Sequence, residues 1–254
     1  MGKMHVFLSH IHEEKALALL VKELLEEKFL GMIDIFVSSD EVSNPAGRNW
    51  LDNITRELRE CKVGLFLTSK QSIGRPWINF EAGAFWVRDI PTVPICHSGM
   101  AKDNLPLPFK LLTAINITEE EGIRLLFHTI ARTLGGSVPQ RNGLDKFIQD
   151  VQKFENDYMY WDVINRDTTE LLKYVPSVFT LLDQEENREI TINKEYADVI
   201  TKLVNNSLSS LGLLIIEKCG MSLMGDMEWY LGIKFHKGSR FDEVIRDSRF
   251  AYHL

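Results

Sequence analysis

The sequence predicts an α/β protein in which a flavodoxin-like, five-stranded parallel sheet is followed by a second, mostly helical domain. In the first half of the chain, short runs rich in β-branched residues alternate with stretches patterned as amphipathic helices. Parallel neighbours in a sheet need such helical crossovers. The alternation stops beyond "GGSVPQRNG" at 135–143, whose Gly, Pro and Asn content indicates a boundary. We therefore predict domains at residues 1–136 and 144–254.

Each element of the first domain is indicated by its own pattern. The third strand, "KVGLFLTS", is apolar on both faces, as expected for a strand buried between helices. After the first strand, Leu17, Leu20 and Leu24 recur at helical spacing, and Gly135 is placed to end the closing helix. The predicted strands are residues 5–10, 33–39, 62–69, 92–98 and 114–118.

The second domain begins with a long helical pattern and ends with a predicted hairpin. Apolar residues keep one helical face over 144–158 and again over 196–211, where the pattern runs into "LGLLIIEK". The segment 227–247 then predicts a strand, a tight turn and a short helix. Helices followed by a hairpin resemble a winged-helix module, and we expect this domain to bind a partner or activator protein or to serve self-association.

Composition excludes several classes of protein. No apolar run approaches the roughly 18 to 20 residues of a membrane span, and the N-terminus lacks the pattern of a signal peptide. Three widely spaced cysteines indicate neither a disulfide framework nor a zinc site. We expect a cytoplasmic protein in a reducing compartment, without contact to a membrane.

Charge argues against nucleic acid as a partner. The net charge is −7, whereas phosphate binding requires clustered Lys and Arg. The local basic group Lys234, His236, Lys237 and Arg240 on the predicted hairpin is therefore interpreted as a solvated turn. No metal is expected either, because the pair of histidines at 10 and 12 has no further ligand at a usable spacing.

Polar residues gather where the predicted strands end. Ligands of an open parallel sheet bind at the carboxyl ends of its strands, and the helix after strand three carries Trp77 and Glu81 as an i, i+4 pair on one patch of surface. This edge is the candidate site, with Glu81 as its central carboxylate. The further candidates are Ser9, His10, Ser39, Asp40, Arg48, Trp50, Ser69 and Trp77.

Three segments give a resemblance to the Toll/interleukin-1 receptor (TIR) domain family, especially its bacterial branch. They are "VFLSHIHEE", "IDIFVSSDEVSNPAGRNWLDNITREL" and "VGLFLTSKQSIGRPWINFEAG", and they match in order and spacing. The second contains the long BB loop with its G-x-x-W-x-x-x-I helix, and the third contains the S-x(4)-W-x-x-x-E signature. The resemblance covers roughly residues 4–135, about half of the chain.

The resemblance implies a TIR domain that consumes NAD+, in which Glu81 is required for cleaving the bond between nicotinamide and ribose. NAD+ is then the substrate and no cofactor is expected. Ser9, His10 and Arg48 are expected at the pyrophosphate or ribose. Trp50 and Trp77, with Phe7 or Phe80, are candidates for stacking on flat rings.

The resemblance also implies a biological role and a mode of activation. Bacterial proteins of this architecture resemble antiphage effectors of innate immunity, which either deplete NAD+ or make a cyclic ADP-ribose signal. Activity in such proteins depends on a homo-oligomer formed through TIR–TIR contacts. We expect the C-terminal domain to govern that assembly.

Alternatives remain open from the residues themselves. The chain is alternatively a non-catalytic TIR scaffold that acts by homotypic binding, or an enzyme similar to nucleoside deoxyribosyltransferases, which share a crevice glutamate. Without the family, Glu81 is interpreted as a solvated helix residue, both tryptophans as core residues, and His10 as a strand-end histidine bonded to backbone. His10 also stands where many relatives carry an aromatic residue. A redox role is disfavoured, because no G-x-G-x-x-G loop follows the first strand.

Overall fold

The computed structural model describes residues 2–38, 48–140, 142–223 and 229–250, without the side chains of residues 48–53 and 223. The chain divides into two compact units, Met1–Asn156 and Asp157–Leu254. No helix in the described ranges is both long enough and apolar enough to cross a membrane.

The first unit is built on a five-stranded sheet with the order β2-β1-β3-β4-β5. All four strand pairings are parallel, which confirms the predicted fold. In chain order the elements are β1 Met4–Ser9, α1 Lys15–Lys28, β2 Ile33–Val37, α2 Arg48–Glu60, β3 Val63–Thr68, α3 Pro76–Val87, β4 Thr92–Cys96, β5 Ile115–Asn116, α4 Glu120–Leu134 and α5 Leu144–Leu172.

Apolar cores lie on both faces of this sheet. One core joins the sheet to α1, α4 and the start of α5, and the other contains residues of α2 and α3. Because β3 is the central strand between these cores, all six of its residues are buried, as its doubly apolar sequence predicted.

The boundary between the compact units lies inside α5. Leu144, Phe147 and Val151 are buried in the core of the first unit, because the apolar face at the start of α5 completes that core. Segment 135–143 accordingly lies within the first unit, before Asn156. Gly135 ends α4 with a left-handed φ of 71°, as its position predicted.

The second unit combines helices with a small antiparallel sheet of order β6-β8-β7. After α5 its elements are α6 Val178–Gln184, β6 Asn187–Asn193, α7 Lys194–Leu203, a π-helical turn Val204–Leu208, β7 Leu214–Leu223, β8 Trp229–Lys237 and α8 Phe241–Ile245. Its core includes residues of α6, α7 and β8.

Two features of this unit differ from the sequence prediction. The helix predicted over 196–211 ends at Leu208, and a turn over 209–212 follows, in which Gly212 takes a left-handed φ of 76°. The segment "LGLLIIEK" accordingly does not continue the helix, and from Leu214 it begins strand β7. Strand β6 was not predicted. In the described chain, α7 and the π-helical turn after it lie between β6 and β7. The likeness of this unit to a winged helix therefore stays a prediction.

The basic residues near the hairpin are accompanied by acids. Arg240 pairs with Glu243 at 2.6 Å, and His236 lies 3.4 Å from the carboxylate of Glu217. Lys237 lies 4.0 Å from Asp242. This surface therefore does not concentrate positive charge.

Candidate active site

Glu81 is a buried acid at the carboxyl edge of the parallel sheet. It lies on α3, which begins with Pro76 at the position where proline is favoured, and its exposed fraction is 0%. Ser9, the last residue of β1, donates a hydrogen bond to Oε2 of Glu81. The hydroxyl of Ser38, directly after β2, lies 3.5 Å from the same oxygen.

This location follows from the topology. The chain runs from β1 to β2 on one side and returns to β3 on the other, so β1 and β3 flank the point where strand order reverses. Crevices for ligands open at such points. A buried carboxylate is costly unless it is hydrogen-bonded, and the two serine hydroxyls supply part of that compensation.

Trp77 precedes Glu81 by one helical turn. Its ring stacks on Phe80, with ring centroids 5.1 Å apart and an angle of 27° between the planes. Phe80 is 55% exposed, so one aromatic surface at this edge is accessible. The alternative candidate for stacking, Phe7, is fully buried between Phe36 and Phe85. The expectation for Phe7 was therefore wrong, because its side chain points into the core of the sheet.

His10 is buried beside Ser9, with an exposed fraction of 1%. Neither of its ring nitrogens makes a well-formed hydrogen bond with another described residue. Burial lowers the pKa of His10 from its ordinary value of 6.5 to about 4, and the nearby charge of Glu14 and an interaction with the backbone of Leu8 offset only part of this. The imidazole is therefore neutral at pH 7.

The remaining candidates are placed differently. The hydroxyl of Ser69 donates to Oε1 of Glu14 at 2.7 Å, so it belongs to a second polar cluster. Ser39 and Asp40 lie outside the described residues. Arg48 and Trp50 belong to helix α2, and the structure describes their backbone but not their side chains.

Sequence reasoning did not single out Ser38 or Glu14. The rule that polar residues at strand ends form the site could have found Ser38, which directly follows β2. Glu14 gave no comparable signal in "HIHEEK". Among the described residues, no group of three or more His, Cys, Asp or Glu side chains is arranged to hold a metal ion.

Comparisons with known proteins identify the first unit. The family model described as TIR domain matches residues 6–127. Among solved structures, the TIR domains of the activated Roq1 resistosome directly recognizing the pathogen effector XopQ are similar at 15% identity and a TM-score of 0.32, covering 61% of this chain and 84% of that chain. No curated protein matches the chain. Residues 6–127, which contain the Ser9–Glu81 pair and all of the five-stranded sheet except the first two residues of β1, match the TIR domain family.

Proposed function

We propose that this protein is an NAD+ nucleosidase that cleaves the bond between nicotinamide and ribose, with Glu81 as its catalytic carboxylate. The observation that carries the proposal is the buried Glu81 at the strand-order reversal, hydrogen-bonded by Ser9 and one turn after Trp77. Perturbed or buried acids in a crevice are typical of catalytic groups.

The chemistry fits a single carboxylate. The nicotinamide ring carries positive charge in NAD+ and leaves as a neutral molecule with both electrons of the broken bond, so no general acid is needed. Positive charge then develops on the ribose, as in the transition states of glycoside cleavage, and the carboxylate of Glu81 stabilises it. Water adds to the ribose carbon and releases a proton to give ADP-ribose, or an adenine nitrogen adds to give a cyclic product.

The neighbouring residues have supporting roles in this proposal. Ser9 and Ser38 hold Oε2 of Glu81 and so limit rotation of the carboxylate. Neutral His10 offers a hydrogen bond to a ribose hydroxyl or the pyrophosphate. Trp77 and Phe80 offer an aromatic surface for a flat ring.

The biological setting is part of the same proposal. We place the protein among cytoplasmic effectors of bacterial antiviral defence, active as a homo-oligomer and governed through its C-terminal unit. A stripe of apolar residues on α3 supports self-association: Trp77, Phe80, Ala84 and Val87 recur at i, i+3, i+7 and i+10. Val87 is 89% exposed.

The same stripe favours a second candidate function, a TIR scaffold without catalysis. An apolar helix face that is open to solvent is typical of protein interfaces. A scaffold needs this face and makes no use of a buried carboxylate.

Product analysis tests the proposal. The purified protein is incubated with NAD+ at low and high concentration, and the products are resolved by chromatography with mass detection. We expect nicotinamide and an ADP-ribose species from the wild type and from Glu23→Gln, an exposed acid on α1, but not from Glu81→Gln or Glu81→Ala. Undiminished cleavage by folded Glu81→Gln would refute the catalytic assignment.

Two further outcomes separate the alternatives. Intact NAD+ at every concentration, together with self-association, supports the scaffold. Base exchange on a deoxynucleoside substrate, with NAD+ left intact, supports an enzyme of the nucleoside deoxyribosyltransferase kind.

A further inference from the structure

A second buried carboxylate, Glu14, lies in the turn after β1 and is separate from the Glu81 carboxylate. Its side chain and that of His97 have exposed fractions of 0%. Oε1 of Glu14 lies 2.7 Å from the hydroxyl of Ser69 and 3.1 Å from Nε2 of His97. Oε2 accepts a hydrogen bond from the backbone N–H of Ile11 at 3.2 Å.

The hydrogen bonds around this carboxylate favour its ionised form. Burial alone raises the pKa of Glu14, but the hydrogen bond and charge of His97 and the hydroxyl of Ser69 outweigh burial and hold it below its usual range. An ionised carboxylate only accepts hydrogen bonds, so Nε2 of His97 carries the proton of this contact. Nδ1 of His97 lies 2.9 Å from the hydroxyl of Ser98.

Glu14 thereby holds three segments that follow three neighbouring strands of the sheet. Ile11 follows β1 two residues after Ser9, Ser69 follows β3, and His97 follows β4. Each contact is with a different strand end, so a single side chain fixes their relative positions.

The segment after β3 leads directly into the helix of Glu81. Its turn is closed by reciprocal bonds, from Ser69 N–H to the Ser72 hydroxyl at 2.8 Å and from Ser72 N–H to the Ser69 hydroxyl at 3.1 Å. The N–H of Arg75, which precedes α3, then bonds to the carbonyl of Ser72 at 2.9 Å. Hydrogen bonds thus connect Ser69 to Arg75, the residue directly before α3.

We propose that Glu14 is a positioning residue for Glu81: it joins the chain segment of Ser9 to the turn that starts α3, and so sets the geometry of the Ser9–Glu81 pair. The inference rests on the proposed function, because it assigns to Glu14 a role in the cleavage of NAD+. Glu14 does not touch the substrate in this role. Catalytic groups misplaced by about 1 Å lose on the order of 100-fold in rate.

The test compares Glu14→Ala with Glu14→Gln, and with Glu23→Gln as a control. Glu23 is an exposed acid on α1, outside the segments that Glu14 joins. For Glu14→Ala we expect kcat for nicotinamide release to fall at least tenfold while KM changes by less than about threefold. Glu14→Gln keeps the shape and one acceptor and should recover part of kcat, whereas Glu23→Gln should match the wild type.

Amide hydrogen exchange supplies a readout that does not need catalysis. In Glu14→Ala we expect faster exchange at Ile11 and over 69–75, with unchanged exchange in α4. Ser69→Ala is a milder variant that removes only one donor, and it should shift both readouts in the same direction if Glu14→Ala fails to fold.

The outcomes separate the two hypotheses. If the wild type releases no nicotinamide, the proposed function fails, and the exchange data alone decide whether Glu14 holds the two segments. Wild-type kcat in a folded Glu14→Ala or Ser69→Ala variant overturns the positioning role. Wild-type exchange over 69–75 in the same variants overturns it as well.

Discussion

The hydroxyl of Ser9 donates a hydrogen bond to Oε2 of Glu81, a residue 72 positions further along the chain. Ser9 ends β1 and Glu81 lies in the middle of α3, which follows β3. Because β1 and β3 are hydrogen-bonded neighbours in the sheet, the end of one strand and the helix after the other meet at one edge. The contact joins the predicted strand-end polar residues to the W-x-x-x-E motif.

The Ser9 hydroxyl should matter for catalysis. In Ser9→Ala, the Glu81 carboxylate loses this hydrogen bond, and we expect kcat for nicotinamide release to fall roughly tenfold, or about 1.4 kcal/mol. Steady-state kinetics with NAD+ measure this. Ser38→Ala is the control, since its contact of 3.5 Å is at the limit of a hydrogen bond and predicts a smaller loss. Equal or larger loss in Ser38→Ala would contradict the importance given to Ser9.

His10 should make the stability of the first unit depend on pH. The unfolded chain binds a proton on this imidazole below about pH 6.5, whereas the folded chain binds it only below about pH 4. The free energy of unfolding should therefore fall as pH decreases from about 6.5 to about 4, by on the order of 3 kcal/mol. Denaturant unfolding at a series of pH values measures this fall.

The exposed histidine two residues later provides the control for this prediction. His10→Asn should lose most of the pH dependence in that window, whereas His12→Asn should keep it. Identical pH profiles for the wild type and His10→Asn would show that His10 is not buried in its neutral form.

The sequence predicted the parallel sheet correctly because its signals are local. Apolar strands and amphipathic helices alternate along the chain. Successive strands that are joined by a helical crossover are expected to lie parallel in one sheet. Trp77 and Glu81 were also found locally, since one helical turn separates them. Strand β6 was missed because "NREITIN" contains only two apolar residues, Ile190 and Ile192, too few to give a clear alternating pattern.

Glu14 was missed for the opposite reason. In "HIHEEK" it stands beside another glutamate at the start of a helix, where acids are usually solvated. Its burial depends on Ser69 and on His97, which lies 83 positions away. No local pattern reports such a contact, so the three-dimensional structure is needed to recognise it.

The apolar stripe on α3 should support self-association. In Val87→Asp, a charge replaces a side chain that is 89% exposed, so folding should be almost unaffected while an interface that buries this stripe is disrupted. We expect the concentration for half-maximal association to rise at least tenfold in analytical ultracentrifugation. Leu30→Asp is the matched control, because Leu30 is 85% exposed but lies after α1. Equal weakening by both variants would argue against an interface at α3.

Two glycines in the first unit should respond oppositely to replacement by alanine. A Cβ added at Gly122 would lie 2.4 Å from the backbone oxygen of Asn116, and this oxygen cannot move without displacing β5 from α4. We expect Gly122→Ala to lower the free energy of unfolding by about 2 to 3 kcal/mol.

At Gly83, inside α3, an added Cβ would meet no atom within 4 Å. Removing a helical glycine there should raise stability by about 0.5 to 1 kcal/mol. Thermal and denaturant unfolding measure both changes, and a neutral Gly122→Ala variant would show that α4 and β5 do not approach so closely.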